Sequence, residues 1–231
     1  MSHSRRPVYL LAGRGSSARS NQQALAEAFA LVGGKPDVAY IGVASGDDRG
    51  FFGMIGAMLK DAGAAQVRLA ALVSDKADVA KARAIVEGAD VVFVSGGDVE
   101  EGMNVLRRRR MLPLLRRLQQ EGRVFCGVSA GSIMLAPQWV RWRDPQDEGT
   151  AERFDCLGLA PLRCDAHGEQ EHWEELRALL RLCPPGTEGY GICSGACLVA
   201  CPDGAARACV GVVDRFRRGA EGVEERPALG A

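Results

Sequence analysis

The sequence predicts an α/β fold: a doubly wound, mostly parallel sheet with helices on both faces and a small antiparallel β edge near the C-terminus. Three observations predict it. Short apolar runs alternate with stretches of helical periodicity, the arrangement that builds parallel sheets through βαβ crossovers. The runs are nearly continuous in their apolar character, as strands covered on both faces require. Four of them break off into glycine- and serine-rich turns, at Gly13-Arg14-Gly15, Ser45-Gly46-Asp47, Ser95-Gly96-Gly97-Asp98 and residues 127–131. In open sheets of this kind a site forms outside the C-terminal ends of the strands, and four such turns suit one shared site.

The first run, VYLLA at residues 8–12, reads as a buried strand. GRGSSARS follows it, lacks the G-K-[ST] ending of a phosphate loop, and reads as a catalytic or plain turn. Residues 21–32 carry Leu25, Ala28, Phe29 and Val32 at helical spacing, and Gly33-Gly34 stops that helix before Pro36. VAYIGVA, residues 38–44, is a second strand; residues 51–62 form a helix with Gly63 near its C-cap. Residues 66–73 give a third strand and 78–87 a helix closed by Gly88. ADVVFV, residues 89–94, is a fourth strand that runs straight into Ser95-Gly96-Gly97-Asp98. Residues 99–110 and 113–120 are helices, the second with Pro113 in its first turn, where a missing N–H is harmless.

After Pro137 the pattern loosens. Residues 139–152 are polar and read as a loop or ribbon near the site. Residues 162–166 form a strand with His167 directly after it, and 169–182 have helical spacing at Trp173, Leu176, Leu179 and Leu180. Residues 190–193, 197–201 and 208–214 are short strands, the later ones a β-meander at one edge. Residues 215–231 are charged and glycine-containing and read as a frayed tail. With no internal repeat and no linker, residues 1–231 read as one α/β domain.

Composition narrows the function. Apolar residues make up 47% and charged residues 25%, and 29 basic residues balance 29 acidic ones, which speaks against a nucleic-acid partner. The four arginines at 107–110 read as a solvated helix face, since no aromatic residues interleave with them. No stretch reaches the roughly 18 apolar residues of a membrane span, and the N-terminal apolar run is too short for a signal peptide, so a cytoplasmic location is expected. The eight cysteines then read as reduced thiols. They include no C-x-x-C pair, and the spacing of Cys193, Cys197 and Cys201 is too long for one shared ion. No metal and no cofactor is expected.

The chemistry centres on residues 123–137, RVFCGVSAGSIMLAP. An apolar run with strand character meets G-V-S-A-G at residues 127–131 and then turns helical through Ile133, Met134 and Leu135. Strand, tight turn and helix are the context of a nucleophile elbow, with the Ser129 hydroxyl raised above the sheet beside a helix N-terminus. The bland alternative is a glycine-rich βα turn with a surface serine.

The order of motifs decides between these readings. VAYIGVAS, ADVVFVSGGD, GVSAGS, LGLAPLRCDAH and GYGICSGACLVA follow one another across residues 8–213. In this order and spacing the chain resembles the peptidase E and cyanophycinase family of serine peptidases, whose fold is like that of class I glutamine amidotransferases. The resemblance implies a serine hydrolase that cleaves a small peptide or peptide-like amide through an acyl-enzyme. It implies Ser129 as nucleophile and His167 as general base. Of the three histidines, His3 lies in the N-terminal tail and His172 within a predicted helix. The resemblance also implies an oxyanion hole from the backbone N–H groups of Ala130 and Gly97, substrate contacts at Gly96, Asp98 and Arg177, and a role for Asp144. By family analogy a homodimer is expected.

Two departures stand out. The family places its triad glutamate in a G-I-D-E-like segment, which here reads Gly191-Ile192-Cys193-Ser194, so Ser194 stands where the acid is expected. Either another carboxylate replaces it, with Asp144 and Asp165 as candidates, or Ser194 orients His167 weakly, or the triad is crippled. In the last case the chain is a silent member that binds a small ligand or partner in the same cleft. The arginine-bearing segment after the histidine is also altered, to GEQEHWEELR, with Arg177 the nearest arginine. A preference for acidic substrates is therefore expected to be weak or absent. A glutaminase would need cysteine at the elbow, whereas Cys126 lies inside the strand.

Overall fold

The computed structural model describes residues 5–13, 18–144 and 147–230. The expected turn at Gly13-Arg14-Gly15 lies partly outside these residues, and His3 lies wholly outside them.

The four apolar runs become strands β1 (Val8–Leu11), β2 (Asp37–Ile41), β4 (Val91–Val94) and β5 (Val124–Val128), with β3 (Gln66–Leu69) in between. Helices α1 (Ala18–Ala30), α2 (Arg49–Asp61), α3 (Val79–Gly88), α4 (Val99–Arg108) and α5 (Leu112–Gln120) connect them. Three of these helices start at aspartates that cap them. Asp48, Asp78 and Asp98 accept from the N–H groups of Phe51, Lys81 and Glu101 at 2.6, 2.9 and 2.7 Å, satisfying donors that the first helical turn leaves without partners.

Beyond β5 come α6 (Ala130–Leu135), the hairpin β6 (Gln138–Trp142) and β7 (Ala151–Asp155), β8 (Arg163–Ala166), α7 (Glu174–Arg181) and β9 (Glu188–Ile192). The chain ends with β10 (Cys197–Ala200), β11 (Ala206–Val210), β12 (Val212–Arg218) and β13 (Val223–Gly230).

The fold is α/β around a mixed central sheet, in the order β11-β10-β1-β5-β4-β2-β3. β1, β5, β4, β2 and β3 pair in parallel; β10 and β11 add antiparallel at one edge. Side chains alternate between faces along each strand. Val8, Leu10, Val92, Val94 and Phe125 pack on one side with Leu106, Leu115 and Met134 from the helices there. Tyr9, Leu11, Val91, Phe93 and Cys126 pack on the other with Leu25, Phe29 and Leu59. The register aligns Leu11 with Val128 and Val94 with Gly127, so the turns after β1, β4 and β5 emerge side by side.

The C-terminal third departs from expectation. β10 and β11 form the expected antiparallel edge, but residues 212–214 open β12 of a second sheet. β10 and β11 complete the central sheet, whereas β9 joins that second sheet, in the order β13-β12-β9-β8. Of residues 215–231, expected to fray, 215–230 instead contribute the end of β12 and all of β13, and residue 231 lies outside the described residues. Their charge hides the reason. Phe216 is buried against Trp173, Leu176 and Leu180, and the charged neighbours face outward in cross-strand register. Pro227 is tolerated because β13 is an edge strand. The polar stretch after Pro137 is a ribbon, with Trp139 edge-on to Phe154 at 6.0 Å. The arginine run is more engaged than a solvated face. Arg107 stacks on Phe154 at 4.6 Å, and Arg109 donates to the Leu72 carbonyl at 2.9 Å. Among the described residues no helix is long and apolar enough to cross a membrane.

Candidate active site

β5 delivers the chain to Ser129 in an unusual backbone state. Its φ of 53° and ψ of −125° lie where residues with a side chain rarely sit, and α6 begins at the next residue. Local bonds hold the bend. The Ser129 N–H donates to the Leu11 carbonyl at 2.9 Å, and its own carbonyl accepts from Ser132 at 2.8 Å. The buried Ser132 hydroxyl ties α6 to the same Leu11 carbonyl at 2.9 Å. Gly131 allows the close approach, since a Cβ there would stand 2.1 Å from the Val94 carbonyl oxygen.

His167 arrives from the second sheet. Its backbone N–H pairs with the Ile192 carbonyl at 2.9 Å at the end of β8, and a φ of 50° turns the chain immediately afterwards. The ring reaches back so that Nε2 lies 2.7 Å from Ser129 Oγ, a hydrogen-bond distance between residues 38 apart in sequence. Gly96 and Gly97 close in from the turn after β4. A Cβ on Gly96 would lie 3.0 Å from that of Ser129.

Two cavities meet at the serine. One, of about 410 Å³, is lined by Ser129, His167, Gly97 and Ala130 together with a ring of carboxylates: Asp98, Asp165, Glu171, Glu174 and Glu175. Among the described residues no lysine or arginine lines it. The other, of about 470 Å³, shares Gly97 and Ser129 and is walled by Phe51, Met54, Ile55 and Val128. Burial pushes the Asp165 carboxyl up to about 7, with Glu175 adding to the shift. Burial also raises Glu175, whose Oε2 accepts from the Trp139 indole at 2.6 Å. Among the described residues no three His, Cys, Asp or Glu side chains are grouped to hold a metal ion.

Residues 9–207 match the sequence profile of Peptidase family S51. The chain belongs to peptidase family S51. It is similar to Peptidase E of Escherichia coli (strain K12 / DH10B) and of Shigella boydii serotype 18, each 29% identical over 84 residues. That match covers 36% of this chain and 36% of theirs, about a third of the curated relatives' length. Two solved structures share its fold. A peptidase from an acI-B1 Actinobacterium superposes with a TM-score of 0.69 at 16% identity, covering 100% of this chain and 99% of the other. A putative Peptidase E protein from Listeria monocytogenes EGD-e gives 0.64 at 14% identity, over 89% and 98%.

Within this S51 chain, Ser129, His167, Gly97, Ala130 and Asp98 line one cavity, and Gly96 lines the neighbouring one. Asp98 also caps α4, so one of its oxygens is engaged. Three expected residues fall elsewhere. Asp144 sits exposed in the turn after β6 and does not line either cavity; its N–H and carbonyl both bond the Thr150 hydroxyl. Arg177 is turned away from both cavities. It donates to the His172 carbonyl at 3.1 Å, pairs with Glu225 and stacks on Phe216 at 4.8 Å. Ser194 is exposed and makes no hydrogen bond to His167. Its N–H donates instead to Glu169 Oε1 at 3.1 Å.

The expected helix over 169–182 also starts late, at Glu174, leaving His172 in a turn. The buried Trp173 causes this. Its indole lies where a Cβ on Gly191 would be 2.6 Å away and donates to Asp214 at 2.8 Å, which pins the preceding residues into turns. Those turns place Glu169 and Glu171 beside the site, a consequence the helical spacing concealed.

Proposed function

We propose that the chain is a serine hydrolase that cleaves a small peptide or peptide-like amide. The observation that carries this reading is the 2.7 Å approach of Ser129 Oγ to His167 Nε2 at a strained strand–helix turn. A serine hydroxyl becomes a nucleophile only with such a base beside it.

The chemistry follows from the placement. His167 Nε2 takes the Ser129 proton as Oγ attacks the carbonyl carbon, and the carbonyl oxygen becomes an oxyanion. The N–H groups of Ala130 and Gly97, both beside Ser129 in the cavity lining, are the donors we assign to that oxyanion. The tetrahedral adduct collapses, the C–N bond breaks, and the amine leaves with the proton from His167. Water then repeats the sequence on the ester and frees Ser129. We read the mixed sheet, with apolar clusters on both faces, as the doubly wound sheet of class I glutamine amidotransferases.

The lining also supports a substrate class. Five carboxylates, with no lysine or arginine among the described residues lining it, make the first cavity unfavourable for an acidic side chain and favourable for a cationic one. The second cavity suits an apolar group on the other side of the scissile bond. With Arg177 engaged on β12 and β13, no described residue in either lining answers an aspartyl side chain. In a panel of di- and tripeptides, those pairing Lys or Arg with Leu or Phe are expected to have the highest kcat/KM. Their Asp and Glu counterparts should be at least about ten-fold poorer, a difference of ~1.4 kcal/mol. Turnover of the panel by His167→Ala at the wild-type rate would remove the basis of the reading.

A further inference from the structure

We infer that Glu169 supplies the carboxylate that orients His167 and carries the counter-charge for its imidazolium. The inference rests on the Ser129–His167 reading above and asks what stands behind the histidine.

Two turns meet there. One follows β8 and holds His167 and Glu169; the other follows β9 and holds Ser194. The parallel pairing of β8 with β9, continued by the His167 N–H bond to Ile192, sets these turns side by side. Glu169 bridges them through the 3.1 Å bond from the Ser194 N–H to Oε1. A carboxylate from one turn thus reaches the backbone of the segment where the resemblance places an acid.

Its second oxygen is the telling atom. Glu169 Oε2 is buried and has no hydrogen-bond partner among the described residues. A buried carboxylate oxygen without a donor is costly, so a donor is expected there in the working enzyme. His167 has the matching need. Its Nε2 faces Ser129, and its other ring nitrogen makes no hydrogen bond among the described residues. A proton on Nδ1, donated to Oε2 directly or through one water, satisfies both groups and leaves Nε2 free to accept from serine. Burial opposes charge on Glu169, yet the Ser194 hydroxyl and N–H, with the His167 charge, hold the carboxyl below its ordinary range. Glu169 lines neither cavity at the serine, whereas its neighbours Gly168 and Glu171 line the carboxylate-rich one.

Other carboxylates are less suited. Asp165 lines the cavity at Ser129, spends Oδ1 on the Ala166 N–H at 2.7 Å, and is pushed up to about 7 by burial. Asp214 is taken by the Trp173 indole at 2.8 Å and lies near the Cys193 thiol at 3.6 Å. Asp144 sits exposed in the turn after β6, where its N–H and carbonyl bond the Thr150 hydroxyl.

The test uses Glu169→Gln, which keeps an oxygen for the Ser194 N–H and removes the charge. The rate of inactivation by a fluorophosphonate probe is measured together with Tm. The maximal rate is expected to fall by about 10²- to 10⁴-fold, the range for a lost triad acid, with half-saturation and Tm nearly unchanged. Placing the carboxylate on the other turn, in Glu169→Gln/Ser194→Glu, should recover at least ten-fold of the loss, which a merely structural role would not allow. Equal inactivation rates for wild type and Glu169→Gln overturn the Glu169 assignment and leave the Ser129 reading standing. Failure of the wild type to react overturns both. If Glu169→Gln does not fold, the His167 ring proton in the wild type decides: a downfield Nδ1–H resonance supports the bond, and a proton on Nε2 alone overturns it.

Discussion

Ser129→Ala is expected to abolish hydrolysis while leaving the fold intact. Loss of a nucleophile that works as a unit with its base lowers kcat by about 10⁶-fold in a well-characterised serine peptidase. The fold should survive because Ser129 is held by its backbone, through bonds to Leu11, Ser132 and Ile133 that alanine keeps. The strained φ of 53° is kept as well, so the variant regains no stability from relaxing the turn. Turnover of the peptide panel and Tm, measured side by side, check this. A variant that retains a hundredth of the wild-type rate would mean that the hydroxyl is not the nucleophile.

Gly97→Ala is expected to damage both stability and activity. Gly97 has a φ of +138°, which only glycine adopts without strain, and an added Cβ would stand 1.9 Å from the Ala44 carbonyl oxygen. Both obstacles are backbone, so no rotamer relieves them. Strain and overpacking together cost about 3 kcal/mol or more, which lowers Tm by roughly 6–12 °C in a chain of this size. Because the Gly97 N–H is one assigned oxyanion donor, kcat should also fall by about 10²- to 10³-fold in whatever protein remains folded. Gly53→Ala, inside α2 with nothing within 4 Å of the added carbon, serves as the control and should be neutral or slightly stabilising. Similar behaviour of the two variants would show that the turn after β4 is looser than described.

The parallel core was legible because burial on both faces writes itself as unbroken apolar runs. Residues 8–11, 38–41, 91–94 and 124–128 contain no charged residue, and the structure buries every one of them. The second sheet was harder to read for the same reason inverted. β12 and β13 face water on one side, so Arg215, Arg217 and Arg218 surround Phe216, which packs against Trp173 and Leu180. A lone aromatic among arginines carries little periodicity, and the segment passed for a tail. Trp173 misled in the opposite sense. Its spacing fits a helical stripe, but its packing over Gly191 is tertiary and delays α7.

At the site, Ser129 and His167 stood out because turn chemistry and strand ends are local signals, and the structure brings the two together. Residues whose placement depends on distant partners were not readable. Arg177 is drawn away by Glu225 and Phe216, more than 35 residues downstream. Glu169 becomes notable only through its bond to Ser194, 25 residues away. The carboxylate ring of the cavity was visible as the acidic segment after His167, but its convergence with Asp98 and Asp165 comes from the fold.

Activation of Ser129 as a nucleophile is read out by treating the full chain with a fluorophosphonate probe, digesting it, and locating the added mass by peptide sequencing. Stoichiometric labelling is expected at Ser129 and is expected to be lost when His167 is replaced by alanine. Labelling at another residue, or none across pH 6 to 9 in folded protein, would contradict it.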